Sequence, residues 1–194
     1  MPEIKAVGFR HRGNIGAVVS VACGLWAIVL LFFMDHAPRT PVSFMTTAVA
    51  WSLLLAGGGL RLWATMYLGG RKNDIVVSEG PYSMCRNPLY LGTFLILLSA
   101  AFFLESVIFA VGAVGIFLFY YFATIPSEEV HLRKQLGKPY EQYCNTVPRL
   151  FLNPWLFRTS GHVTVKMRAL WLEVKRMGAW IWLPILADIL HQVR

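Results

Sequence analysis

Two stretches of the chain concentrate residue types that can do chemistry: DIVVSEGPYSMCRNPLYLG at 74–92 and SEEVHLRKQLGKPYEQYCNTVPRL at 127–150. In the first, Gly80-Pro81 marks a turn. Asn87-Pro88 reads as a helix N-cap followed by proline at the first helical position. A helix N-terminus presents unpaired N–H groups and about half a positive charge. Arg86, immediately before it, adds a full charge and a bidentate donor. A carboxylate or phosphate is the natural guest of such a place. The plainer alternatives are that Asn87 only caps the helix and Arg86 only binds lipid headgroups. In the second stretch, Ser127 and the two glutamates suit a helix start. Glu128, His131 and Leu132 share a helical face. Gly137 ends that helix, Lys138-Pro139 opens another turn, and Tyr140 and Tyr143 share a face three residues apart. Adjacent glutamates near the bilayer end of a span invite a cationic or hydroxyl-bearing partner; a solvated pair complementing a helix dipole is the alternative.

The elements that must position these residues are apolar. Of the 194 residues, 56% are hydrophobic and 14% charged, whereas a soluble domain carries about 45–50% and about 25%. Mean hydropathy is +0.54, which points to a polytopic membrane protein. Ile15–Met34 is an uninterrupted apolar run, long enough for a helix to cross about 30 Å of hydrocarbon. A second span is expected from about Phe44 to Leu68. It contains AGGGLR at Ala56–Arg61, where glycines allow close helix packing. Arg61 either snorkels to the interface or faces a polar cavity. Leu89–Leu104 and Val107–Ile125, parted only by Glu105 and Ser106, read as a tight helical hairpin. Leu170–Leu190 is a fifth candidate, lying in the interface or crossing by packing on the bundle. The expected fold is therefore all-α: a transmembrane helix bundle of four spans and a possible fifth.

Lysine and arginine cluster at the N-terminus (Lys5, Arg10, Arg12), at 71–86 (Arg71, Lys72, Arg86) and at 126–168, while the Asp35–Pro41 loop has only Arg39. The positive-inside rule then places both chemical stretches on the cytoplasmic face of a multi-pass membrane protein. The expected division is 1–70 for the first two spans, 71–158 for a catalytic region including the hairpin, and 159–194 for a C-terminal helix that is amphipathic or membrane-buried.

The formal net charge is +8, but the charges lie between apolar blocks, so nucleic acid is not an expected partner. Cys23, Cys85 and Cys144 form no CxxC pair and no cluster with histidine, so no metal site or disulfide framework is expected. Familiar soluble motifs are missing: no GxGxxG after a strand, no P-loop, no GxSxG and no HExxH. Gly57–Gly59 lies in a membrane helix and is not a dinucleotide loop.

GPYSMCRNPLYLG at 80–92 resembles the G-x-Y-x-x-x-R-H-P-x-Y-x-G motif of the isoprenylcysteine carboxyl methyltransferases. Glu128-Glu129, then Gly137, Tyr140, Tyr143, Val147 and Pro148, also match in order and spacing. RLWATMYLG at 61–69 looks like the arginine-bearing helix end that precedes the motif in this family. The resemblance runs from Arg61 to Leu150 and departs at Asn87, where the family usually has histidine. If that histidine moves protons, its role is absent here; if it only caps a helix or donates one hydrogen bond to the cofactor, asparagine serves. Phospholipid N-methyltransferases and membrane sterol reductases share the pattern more loosely.

The resemblance implies S-adenosylmethionine as methyl donor. By position it would contact Asp74, Ile75, Val76 and Val77, then Tyr82, Asn87, Pro88, Leu89 and Tyr90, and Glu128 from the second stretch. The implied substrate is a prenylated cysteine, its lipid among the membrane helices and its carboxylate at the interface. A carboxylate is ionised at neutral pH and needs no base, so the catalytic work is alignment and exclusion of water. Arg149 or Arg86 would hold the carboxylate. An amine substrate, as in a lipid amine methyltransferase, would need a base such as Glu129 or His131. A sterol-type reductase using NADPH, with Arg71, Lys72 and Arg133 on its phosphate, and a non-enzymatic membrane scaffold are the remaining alternatives.

Overall fold

The structure is a computed structural model that describes residues 41–68 and 75–192, with the side chains of 41–43, 183 and 186–192 excepted. The first expected span, Ile15–Met34, the basic residues of the N-terminus, Cys23, Arg71, Lys72 and Asp74 lie outside the described residues. Among the described residues every regular element is helical.

Helix α1 is Pro41–Leu68, α2 the single turn Pro81–Met84, α3 Pro88–Phe103 and α4 Val107–Phe119. A π-helical turn, Tyr120–Thr124, joins α4 directly to α5, Ile125–Leu136. Helix α6, Lys138–Thr146, and α7, Met167–Gln192, complete the order, with a 3₁₀ turn at Pro154–Leu156 between them.

Among the described residues, two helices are long and apolar enough to cross a membrane: Phe44–Leu68 with 25 residues, and the continuous Val107–Leu136 with 30. Helix α3 is apolar but has only 16 residues, about 24 Å of rise against about 30 Å of hydrocarbon. Four spans are thus not shown by the described residues. Val107, Ile108, Val111, Val114, Leu118, Phe119 and Phe122 all stand exposed along one helix. Water penalises such a surface, whereas lipid accepts it.

The second long helix corrects the expected start at Ser127. In an α-helix the ring of Pro126 would collide with the carbonyl four residues earlier. The chain widens by one residue instead, and the Ile125 N–H reaches back five residues to the Tyr120 carbonyl. The helix therefore runs through Pro126, and Ser127 lies inside it, its hydroxyl donating to the Thr124 carbonyl at 2.9 Å. Gly137 ends α5 in the left-handed region (φ 61°) and also precedes α6, as its position between two helical patterns suggested.

Helices α1 and α3 cross where both lack a side chain. A Cβ on Gly57 would lie 2.7 Å from the Gly92 carbonyl oxygen, and one on Gly92 would lie 2.8 Å from that of Gly57. Neither backbone can yield, so these two glycines set the crossing distance. Trp51 against Phe103 (5.3 Å) extends the α1–α3 contact, and Phe94 stacks on Phe117 (4.0 Å) between α3 and α4. Ser106 caps α4 by accepting from the Phe109 N–H at 3.1 Å, so the hairpin turn at Glu105 and Ser106 is as short as expected.

Candidate functional site

The two chemical stretches meet beside the start of α3. A backbone hydrogen bond joins them, Arg86 N–H to the Pro148 carbonyl at 2.9 Å, and the chain just beyond adds Asn153 N–H to Met84 at 3.0 Å and Gly80 N–H to Arg158 at 2.7 Å. The Tyr143 hydroxyl donates to the Tyr82 carbonyl at 2.7 Å, and the Cys85 thiol to the Leu150 carbonyl at 3.2 Å. Asn87 does occupy the N-cap position of α3, but its side chain does not cap. Its Nδ2 donates to the Arg149 carbonyl at 3.1 Å. That side chain therefore joins the two stretches, a role neither capping nor proton transfer anticipated.

Between them opens a cleft with about 720 Å³ of empty space, counted out to its mouth. Of the residues expected to bind a cofactor, Ile75, Val76, Val77, Tyr82, Asn87, Pro88, Leu89, Tyr90 and Glu128 line it. Asp74 lies outside the described residues. Arg86 and Glu129 line it too; Arg149 does not, but is bonded to Glu129. Sequence reasoning left out Leu68, Leu132, Leu136, Tyr140 and Tyr143 as lining residues. The signal was spacing: Glu128 and Leu132, like Leu132 and Leu136, are four apart on α5, and the tyrosines are three apart on α6. Tyr140, Tyr143 and Val147 form a small core with Val76, Leu132, Leu136 and Cys144 packed against it.

The electrostatic centre is Glu129, buried at 4% exposure. Its Oε1 lies 3.2 Å from Arg86 Nη1. Arg149 approaches as a fork, Nε to Oε1 at 3.3 Å and Nη2 to Oε2 at 3.0 Å. Two guanidiniums on one carboxylate leave a local surplus of one positive charge. The Glu129 bond holds the Arg149 guanidinium above its ordinary value, and that group also stands 5.7 Å over the Tyr121 ring, in the π-helical turn. Tyr90 donates to Glu128 at 3.1 Å and packs on Tyr120 at 5.3 Å. The π turn thus carries Tyr120 against Tyr90 and Tyr121 beneath Arg149, both outside the cleft lining.

Burial raises the Tyr82, Tyr140 and Tyr143 hydroxyls above their usual range, so all three stay neutral donors. Burial also pushes the Cys85 thiol up to about 11, against lowering by the Asn87 N–H and Arg86. It is a packed, unreactive thiol. Two buried side-chain atoms in the lining lack any partner: the Tyr82 hydroxyl and Arg86 Nε. Buried donors are normally satisfied, so this pair fits a ligand that brings acceptors. His131, the alternative base, is exposed and does not line the cleft.

The family described as phospholipid methyltransferase matches residues 45–139. The nickel-cobalt-cadmium resistance protein NccN of Alcaligenes xylosoxydans xylosoxydans is 36% identical over 152 residues, covering 78% of this chain and 70% of the relative. The chain belongs to the phospholipid methyltransferase family. The cobalt-zinc-cadmium resistance protein CzcN of Cupriavidus metallidurans is 29% identical over 152 residues, covering 73% of this chain and 68% of the relative. No solved structure matches. The isoprenylcysteine methyltransferase-like motif at 80–92 and the glutamate pair fall inside the phospholipid methyltransferase match. Together with the two long apolar helices, the family marks this chain as a membrane methyltransferase.

Proposed function

We propose that the protein is an S-adenosylmethionine-dependent methyltransferase acting on the carboxylate of a lipid-linked substrate, a prenylated cysteine at a protein terminus or as a small molecule. The observation that carries this reading is Glu129 held between Arg86 and Arg149. Both its oxygens already accept from guanidiniums, so it would have to break a pair to take a proton. The tyrosines of the lining are kept neutral, and His131 is exposed and does not line the cleft. A site so made offers an anionic nucleophile two guanidiniums, and offers an amine only Glu128, which already accepts from Tyr90. It therefore favours an ester product over a methylamine.

When bound, S-adenosylmethionine supplies an electrophilic methyl group on a sulfonium. The chain's residues would hold it as follows. The unpartnered Tyr82 hydroxyl and Arg86 Nε suit its carboxylate and hydroxyl acceptors. Glu128 suits its amino group or ribose hydroxyls. The aromatic face of Tyr90, against which Tyr120 packs, suits a cation. Arg149, a third exposed at the edge of the pair, orients the substrate carboxylate, and the apolar wall of Leu132, Leu136 and Val76 excludes water. The cytoplasmic orientation of the cleft rests on the distribution of basic loops.

The runner-up is a phospholipid amine methyltransferase, which the family's description keeps in view. The relatives' names concern metal resistance. We infer that any such link here runs through a methylated membrane product. Detergent-purified protein should gain melting temperature with S-adenosylhomocysteine and not with NADPH, about 2.7 kcal/mol at 100 times Kd. With a farnesylcysteine acceptor the incorporated methyl should be released by base. Base-stable label on a lipid amine would replace the substrate proposal. Stabilisation by NADPH alone would sink the methyl-donor reading.

A further inference from the structure

The second buried ion pair lies outside the cleft, and its function is open. Arg61 of α1 donates from Nε to Glu173 of α7 at 2.6 Å. Glu173 is 4% exposed in its side chain and Arg61 is 18% exposed. Arg61 Nη1 continues to two atoms in the first two turns of α3: the Leu89 carbonyl, at 3.3 Å, and the Thr93 hydroxyl. That hydroxyl in turn donates to the Leu89 carbonyl at 2.9 Å. The three groups close a triangle across the turn. Pro88, Leu89 and Tyr90 of the first turn line the cleft.

We propose that Glu173, acting through Arg61, is a positioning residue for the donor side of the cleft. The C-terminal helix would then belong to the working unit instead of being a separate anchor. A guanidinium in an apolar bundle is costly without a counter-charge. Remove the Glu173 charge and Arg61 is driven to turn toward polar surroundings, which withdraws its donors from Leu89 and Thr93. The start of α3 then loses its tie to α1, and the register that brings Tyr90 to Glu128 is loosened. The family match ends at residue 139, well before Glu173, so the comparisons assign that residue nothing. A second contact of α7 serves docking alone: a Cβ on Gly58 would lie 2.1 Å from Met177 Cε.

The part of this proposal that concerns the methyl donor rests on the function proposed above, and the test separates the two. Glu173→Gln and Arg61→Lys are prepared in the full chain in detergent. Lysine keeps a charge opposite Glu173, so α7 stays docked, but it lacks the fork that also reaches Leu89 and Thr93. Deuterium uptake is followed in peptides covering 86–93 and 140–147. Binding of S-adenosylhomocysteine is measured in parallel. Both variants should exchange faster over 86–93 and not over 140–147. Their dissociation constants should rise about tenfold, the effect of losing one hydrogen bond to a charged group. Arg61→Lys should show this with its melting temperature unchanged, which a purely structural pair would not produce. Unaltered exchange over 86–93 in Arg61→Lys overturns the proposal, and so does donor affinity within twofold of wild type. If wild type binds no S-adenosylhomocysteine, the methyl-donor reading fails and the exchange comparison alone decides the positioning role. If Glu173→Gln does not assemble, Arg61→Lys decides.

Discussion

Two buried glutamates in this chain face arginine, and they are completed differently. Glu173 meets Arg61 of α1 at 2.6 Å and Arg176 of its own helix at 3.4 Å, and Arg61 directs its other bonds to Leu89 and Thr93. Among the described residues no buried side-chain atom of that pair lacks a partner. Glu129 meets two arginines, Arg86 keeps one buried nitrogen unpartnered, and Arg149 remains a third exposed. The first arrangement is closed and joins helices. The second leaves a buried donor spare at the wall of a cleft, which is what a site awaiting an anion needs. Burial of an ion pair alone does not mark a site; incomplete satisfaction does.

Breaking Glu129 should have the largest effect. Glu129→Ala leaves two guanidiniums without their carboxylate, at a cost of about 3 kcal/mol or more, and should abolish methyl transfer and lower the melting temperature together. Loss of turnover with an unchanged melt would mean that the pair is weaker than its geometry. Next, Glu128→Ala should remove stabilisation by S-adenosylhomocysteine while leaving the helical content intact. Near-wild-type affinity would take Glu128 out of the site. Arg149→Ala should lower turnover more than donor affinity, since Arg149 stands outside the lining; equal losses would assign it to the donor.

The closed region can be challenged through packing. Gly57→Ala puts a methyl against the Gly92 carbonyl, an overpacking cost of about 1–3 kcal/mol, read as a lower melting temperature. An unchanged melt would show that α1 and α3 can separate freely. The smallest effect concerns pH. Cys85 is raised from its ordinary 9.0 to about 11 in the folded chain. A raised group contributes its stability below the unfolded value and loses it as pH climbs to the folded one. Melting temperature should therefore fall between pH 9 and 11, and Cys85→Ala should flatten that part of the decline.

The elements of the candidate site were legible in the sequence because their signals are local. Gly80-Pro81, Asn87-Pro88 and Gly137 act through the backbone geometry of one or two residues, and the structure turns the chain at each. The glycine run of α1 forecast a close crossing, and Gly57 makes it. What failed was equally physical. Ser127 reads as a helix start because serine before glutamate usually is one, yet a π turn carries the helix past Pro126, and only the joint demands of α4 and α5 reveal that. Asn87 sits at the expected cap, but the nearest acceptor for its amide belongs to residue 149, far along the chain.

The residue types, their spacing and the apolar helices around them are properties of short windows, and the sequence by itself determined them: a helical membrane chain with two polar stretches and a methyltransferase motif. The tertiary structure alone decided which charges cancel. Arg86, Glu129 and Arg149 come from three segments, and Arg61 and Glu173 from helices 112 residues apart. Charge energy depends on distances of a few ångströms and on exclusion of water, and neither exists until the helices have packed.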